Sequence, residues 1–170
     1  MAYHQSVGAA SLYRLDPDGS VEVVLNQVTV SNGLEWSPGG SPVYYNDTGT
    51  FTISVFDYDT AAGLTNRRTF AELPDGGRPD GLTVDADGGL WTAMSNGGAV
   101  YRYSAESVLE EKLAVPVPKV TACTFGGDHL DRLFITTSQE NIDTREDPLA
   151  GSLFSADVGV KGLPVRLFAS

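Results

Sequence analysis

An all-β fold of the propeller class is predicted for this chain, and three observations predict it. The 19 glycines and 9 prolines among 170 residues fall one or two at a time between short apolar runs, as turns between strands do. An aromatic-centred strand–turn–strand unit recurs four times along the chain. A second unit, built on a Gly-rich turn, precedes the last three copies of the first.

The first unit reads SLYRLDPDGSVEVVL from Ser11, SVFDYDTAAGLTNRRTF from Ser54, AVYRYSAESVLEEKLAV from Ala99 and SLFSADVGVKGLPVRLF from Ser152. Its spacings are 43, 45 and 53 residues, the last lengthened by the polar stretch QENIDTREDPLA, which reads as a loop. The second unit reads NGLEWSPGGSPVYYND from Asn32, DGLTVDADGGLWTAM from Asp80 and TACTFGGDHLDRLFITTS from Thr121. Together the two units make four strands in a repeat of about 45 residues, the size of one propeller blade. Apolar and polar residues alternate only weakly, as expected of sheets that pack on neighbours through both faces. SAESVLEEKLAV has the composition of a helix, but its place in the repeat predicts a hairpin with a tight turn. The unit count predicts an incomplete ring of about three and a half to four blades within one domain, residues 1–170.

Composition narrows the function. The apolar share, 41%, is ordinary for a globular protein. Eleven Lys and Arg against 22 Asp and Glu give a net charge of -11, which excludes a phosphate-rich partner such as nucleic acid. Acidity of this kind serves solubility, or places some carboxylates around a cation; composition leaves both open. Cys123 is the single cysteine, so neither an intrachain disulfide nor a thiolate metal cluster can form, and its setting in TACTFGG predicts a small core residue. The start, MAYHQSVGAASLYRL, lacks a basic segment followed by an apolar block, so no secretory leader is expected. No apolar run approaches the roughly 18 residues that span a bilayer. A cytoplasmic protein without a membrane partner is the expectation.

In a propeller the first strand of each blade lies nearest the axis, so equivalent residues at the starts of these strands converge on one mouth of the channel. Asn32, Asp80 and Thr121 hold that position, and all three carry oxygen. One reading makes Asn-Gly and Asp-Gly simple turn formers, since both residues tolerate left-handed backbone beside glycine. The other turns the amide oxygen and the carboxylate toward the axis, where a hard cation takes such ligands. Two ligands make an incomplete set, and at least one further anionic group is needed. Asp47 is expected to be a turn or hairpin residue, His4 and His129 lack partners at ligand spacing, and the DPDG and DADGG segments read as turns because they lack a calcium loop's full ligand series. Arg67 and Arg68 read as a solvated strand end.

SNGLEWSP, YYND, VFDYD, NRRTF, PDGL, DADGGLW, NGG, FGG and the terminal VGVKGLPVRLF occur here in an order and spacing that resemble the regucalcin, gluconolactonase and luciferin-regenerating-enzyme-like family, also known for the senescence marker protein. The resemblance covers the chain from about Ser11 onward and implies the C-terminal portion of a six-bladed propeller with one divalent cation at its axis (Ca²⁺, Zn²⁺, Mn²⁺ or Mg²⁺). It implies that Asn32 of SNGL and Asp80 of PDG are metal ligands, and that Asp80 is also the proton donor and acceptor in hydrolysis of a small-molecule sugar lactone. The chain departs from the family in lacking its N-terminal Glu ligand, found in a GEGP-like motif, and the Arg-x-Asn-Asp-Gly segment that contacts the lactone. Both would precede Met1, so the sequence looks like the last part of a longer protein. The expected activity is that of a metal-dependent lactonase. The alternatives are a cation- or ligand-binding propeller without turnover, or an inactive fragment. Exposed sheet edges would favour self-association.

Overall fold

A computed structural model describes residues 4–73 and 77–168. Among these, thirteen strands form four antiparallel sheets. The first sheet pairs β1 (Ala10–Leu15) with β2 (Val21–Val28). The second is β3 (Ser31–Trp36), β4 (Val43–Asp47), β5 (Thr52–Asp59) and β6 (Gly63–Glu72), and the third is β7 (Arg78–Val84), β8 (Leu90–Ser95), β9 (Ala99–Tyr103) and β10 (Leu109–Ala114), each in sequence order. The fourth is β11 (Val120–Gly126), β12 (Arg132–Thr137) and β13 (Leu153–Ala156). Four-stranded meanders repeated in this way match the predicted repeat and are consistent with a β-propeller.

The weak alternation of the sequence has a direct cause. In the middle sheets both faces are buried, so each face of a strand feeds a different core. Tyr44 packs with Ile53, Val55, Leu82, Val84 and Met94 between the second and third sheets, while its neighbour Tyr45 packs with Val28 and Phe56 against the first. Trp91, Ala93 and Val100 turn the other way, meeting Cys123, Phe125, Leu133 and Ile135 of the fourth sheet. Successive residues thus point into successive gaps, and both kinds must be apolar. The outer strands β6 and β10 face solvent and carry the charge.

The segment with helical composition is a hairpin. β9 and β10 are joined by a turn in which Ser107 N donates to Ser104 O at 3.0 Å and Ser104 N to Val108 O at 2.8 Å, with Ser107 left-handed at φ 67. Two expectations are corrected. VGVKGLPVRLF does not form the second strand of a last hairpin: after β13 the chain runs irregularly, because Gly159 is left-handed, Pro164 has no N–H, and the backbone is taken up elsewhere. Ala86 N donates to Lys161 O and Gly162 N to Leu130 O, both at 2.7 Å. Arg67 and Arg68 lie mid-strand in β6, not at a strand end. Arg67 stands over the Phe56 ring and donates to Ser54 Oγ, and Arg68 pairs with Asp57 at 2.8 Å. No described helix is long and apolar enough to cross a membrane.

Candidate metal centre

The first strands β3, β7 and β11 lie side by side. Asn32 is second in β3, Asp80 third in β7 and Thr121 second in β11, so the repeat places all three near the same ends of neighbouring strands. The structure brings two of them together. The Asn32 side chain lies near enough to the Asp80 carboxyl, across the gap between sheets, to draw its pKa down, and both residues are half-buried. Thr121 instead shares a hydrogen bond with Thr136, hydroxyl to hydroxyl at 2.9 Å.

Neither Asn32-Gly33 nor Asp80-Gly81 is a turn. Both pairs lie within strands, and neither glycine has a positive φ. What these glycines permit is close approach. A Cβ on Gly33 would lie 2.6 Å from Leu82 Cγ and 2.7 Å from Leu82 N, and one on Gly81 would lie 2.6 Å from Ala122 Cβ. Glycine after Asn32 and Asp80 therefore lets the inner strands crowd together, and this crowding puts the two oxygen carriers within reach of each other.

Burial dominates the electrostatics of Asp80. Its pKa is pushed up to about 6 by loss of water, against the opposing hydrogen bonds from Asn32 and the Gly81 backbone. A desolvated carboxylate of this kind, beside an amide and without an ion-pair partner among the described residues, is suited to a cation. The donor chemistry of Asn32 and Asp80 fits a hard divalent ion. These two supply only part of a coordination shell: the described residues contain no group of three or more His, Cys, Asp or Glu placed to hold a metal.

Residues that the sequence did not single out support the pair. Asn46, fully buried in β4, donates from Nδ2 to the Asp80 carbonyl at 2.7 Å and to Thr92 Oγ1 at 3.0 Å, while its Oδ1 has no partner among the described residues. Thr48 donates to the Pro79 carbonyl at 2.7 Å and accepts from Asn32 Nδ2 at 3.0 Å. Their signal in the sequence was adjacency to Asp47 in YYND, which alone does not reveal partners more than thirty residues away.

The remaining candidates have structural roles. Asp47 accepts from the amides of Thr29 at 2.9 Å, Val30 at 2.7 Å and Gly49 at 3.2 Å, capping a 3-10 turn, Thr48–Thr50. Asp85 of DADGG is fully buried and accepts from Gly89 N at 2.7 Å, Trp91 Nε1 at 2.8 Å and Arg102 Nε at 2.8 Å. In DPDG, Asp18 accepts from Ser20 N at 2.9 Å within a turn. Cys123 is buried, its thiol pushed up to about 12 by desolvation. His4 and His129 are exposed, the latter in the turn between β11 and β12. A polar cavity of 330 Å³ lined by Asp131, Arg132, Asp157, Gly159, Val160 and Lys161 lies away from Asn32 and Asp80, and it has neither a buried carboxylate nor an amide of the kind found at the strand ends.

Comparison with known proteins bears on the family and the fold. Residues 1–139 match the model of the SMP-30/Gluconolactonase/LRE-like region. Regucalcin of Bos taurus is 38% identical over 161 residues, covering 91% of this chain and 54% of the relative; regucalcin of Danio rerio is 40% identical over 162 residues, covering 91% and 55%. The crystal structure of regucalcin from Agrobacterium tumefaciens, described as a calcium-binding protein, superposes with a TM-score of 0.93 at 27% identity, over 100% of this chain and 59% of that one. A luciferin-regenerating enzyme superposes with a TM-score of 0.85 at 31% identity, over 96% and 58%. A gluconolactonase from Xanthomonas campestris superposes with a TM-score of 0.67 at 31% identity, over 91% and 44%. The chain thus spans about half the length of these relatives, and it belongs to the SMP-30/gluconolactonase/LRE-like family.

Proposed function

We propose that the chain carries part of a divalent-cation site that serves the hydrolysis of sugar lactones, with Asn32 Oδ1 and the Asp80 carboxylate as cation ligands. The observation that carries this reading is the meeting of an amide and a desolvated carboxylate from two neighbouring sheets. Ca²⁺, Mg²⁺, Mn²⁺ and Zn²⁺ all accept such oxygens, and Ca²⁺ is favoured by the relative described as calcium-binding. Membership of a family that includes gluconolactonases supports the reaction class.

A divalent ion supplies Lewis acidity toward a lactone carbonyl and makes nearby water more acidic. Asp80 does the proton work. Its carboxylate takes a proton from the water that adds to the acyl carbon, and returns one to the ring oxygen as the acyl–oxygen bond breaks. One water is consumed, and the product is the open hydroxy acid. Asn32, uncharged at any pH, holds its ligand position without competing for that proton.

The test is opening of gluconolactone by the recombinant chain with added Ca²⁺, Zn²⁺, Mn²⁺ or Mg²⁺, repeated with Asp80→Ala. Loss of cation-dependent turnover in the variant is the expected result, and undiminished turnover removes Asp80 from the mechanism. A second reading, cation binding without turnover, draws on the partial donor set among the described residues. Calorimetric Ca²⁺ binding with no lactone opening would favour it.

A further inference from the structure

An asparagine amide has two chemically opposite ends. Its Oδ1 can ligate a cation and its NH₂ cannot, so a cation site that uses Asn32 needs the amide turned one way. We propose that Thr48 is a positioning residue that sets this orientation, holding the Asn32 NH₂ away so that Oδ1 is the end presented to a cation. The inference rests on the cation-binding role proposed above for Asn32 and Asp80.

The polarity follows from counting protons. The Pro79 carbonyl can only accept, so the Thr48 hydroxyl commits its single proton to it, at 2.7 Å. Thr48 Oγ1 can then only accept from Asn32, and the atom that meets it, at 3.0 Å, is Nδ2. A flipped amide would set Oδ1 against an oxygen with no proton to offer. That leaves Oδ1 as the uncommitted end.

Thr48 is itself well held. It is buried, its backbone N donates to the Val30 carbonyl at 3.0 Å, and the preceding Asp47 caps the 3-10 turn it opens. Its β-branch narrows the choice of χ1, which keeps the hydroxyl aimed across the gap. A link from β3 through Thr48 to the backbone one residue before Asp80 also couples the positions of the two ligands. Valine preserves the shape of threonine and removes only the hydroxyl, whereas serine keeps the hydroxyl.

The experiment compares wild type, Thr48→Val and Thr48→Ser by two measurements. In the cation-free chain, the Asn32 side-chain NH₂ signals, assigned by their disappearance in Asn32→Asp, are followed by ¹⁵N NMR. They are expected to move toward averaged, solvent-like positions in Thr48→Val and to stay in place in Thr48→Ser. Titration with Ca²⁺ is expected to show affinity about ten- to a hundredfold weaker in Thr48→Val, the usual effect of removing a partner that orients a ligand, and restored in Thr48→Ser. Unmoved amide signals or unchanged affinity in Thr48→Val overturns the inference. If Thr48→Val does not fold, Thr48→Ala is measured in its place against the same criteria. Moved signals with no Ca²⁺, Mg²⁺, Mn²⁺ or Zn²⁺ binding by wild type would overturn the cation role while leaving the pinning of Asn32 intact, so the two failures are distinguishable.

Discussion

Gly33 lies against the backbone of Leu82 so closely that a Cβ there would be 2.7 Å from the Leu82 nitrogen and 2.9 Å from the Asp80 carbonyl. Backbone cannot rotate out of the way as a side chain can. Gly33→Ala must push β3 and β7 apart, at a cost of about 1–3 kcal/mol typical of overpacking. A lower denaturant midpoint with an unchanged slope is expected, together with weaker cation binding. Gly39→Ala is the control, since a Cβ there meets only Ser41 O at 3.8 Å and the residue has no positive φ.

Asp80 makes the cation-free chain sensitive to pH in a defined direction. Its folded pKa, about 6, lies above the ordinary 3.8, so the fold favours the protonated form. The stability this provides is fully present below about 3.8 and is lost as pH rises through about 6. In chelator-treated protein, Asp80→Asn is therefore expected to match wild type near pH 4 and to exceed it near pH 7 by about 2 kcal/mol, allowing for partial solvent screening. Paired denaturation curves at the two pH values check this, and equal stability at pH 7 would contradict it.

Arg102 secures the buried Asp85 and extends to Glu110 on the outer strand, with its guanidinium 5.7 Å from the Trp91 ring centre. Arg102→Met leaves Asp85 fully buried and dependent on its remaining donors, among them Gly89 N and Trp91 Nε1. A loss of about 3 kcal/mol is expected, within the range for breaking a buried pair. Thermal unfolding measures it, and a change under about 0.5 kcal/mol would show the pair to be dispensable.

Cys123 reports on unfolding. Its thiol is buried, pushed up to about 12, and bonded to the Trp91 carbonyl at 3.6 Å. Thiol reagents at pH 8 are expected to label it only as fast as the fourth sheet separates from the third, with the rate rising steeply in denaturant. Immediate labelling in buffer would place the thiol at the surface.

The sequence showed the architecture because a blade is a local object: two hairpins, their turns and their aromatic strands all fall within one repeat. It also brought out Asn32 and Asp80 as candidates, because the repeat aligns them. The roles of the following glycines were hidden, since the turn preference of Asn-Gly and Asp-Gly is a property of two residues, while the crowding of Gly33 on Leu82 and of Gly81 on Ala122 is a property of two sheets. Thr48 and Asn46 were hidden for the same reason, as their partners Pro79 and Asp80 stand on the next sheet. In VGVKGLPVRLF the apolar content imitates a strand, but Asp85 pairs with Gly162 in an isolated bridge and Ala86 bonds Lys161, so the segment is diverted.

The diverted segment matters to the distant end of the strands. From Lys161 to Arg166 it reaches three sheets in turn, through Ala86, Leu130 and the Ser37 carbonyl, which Arg166 Nη2 contacts at 3.0 Å. Those contacts lie beyond the last residues of β3, β7 and β11, whereas Asn32 and Asp80 lie near the first. The segment works as a hoop around the far rim. A tryptic nick after Lys161 would part that hoop between its tie to Ala86 and its ties to Leu130 and Ser37.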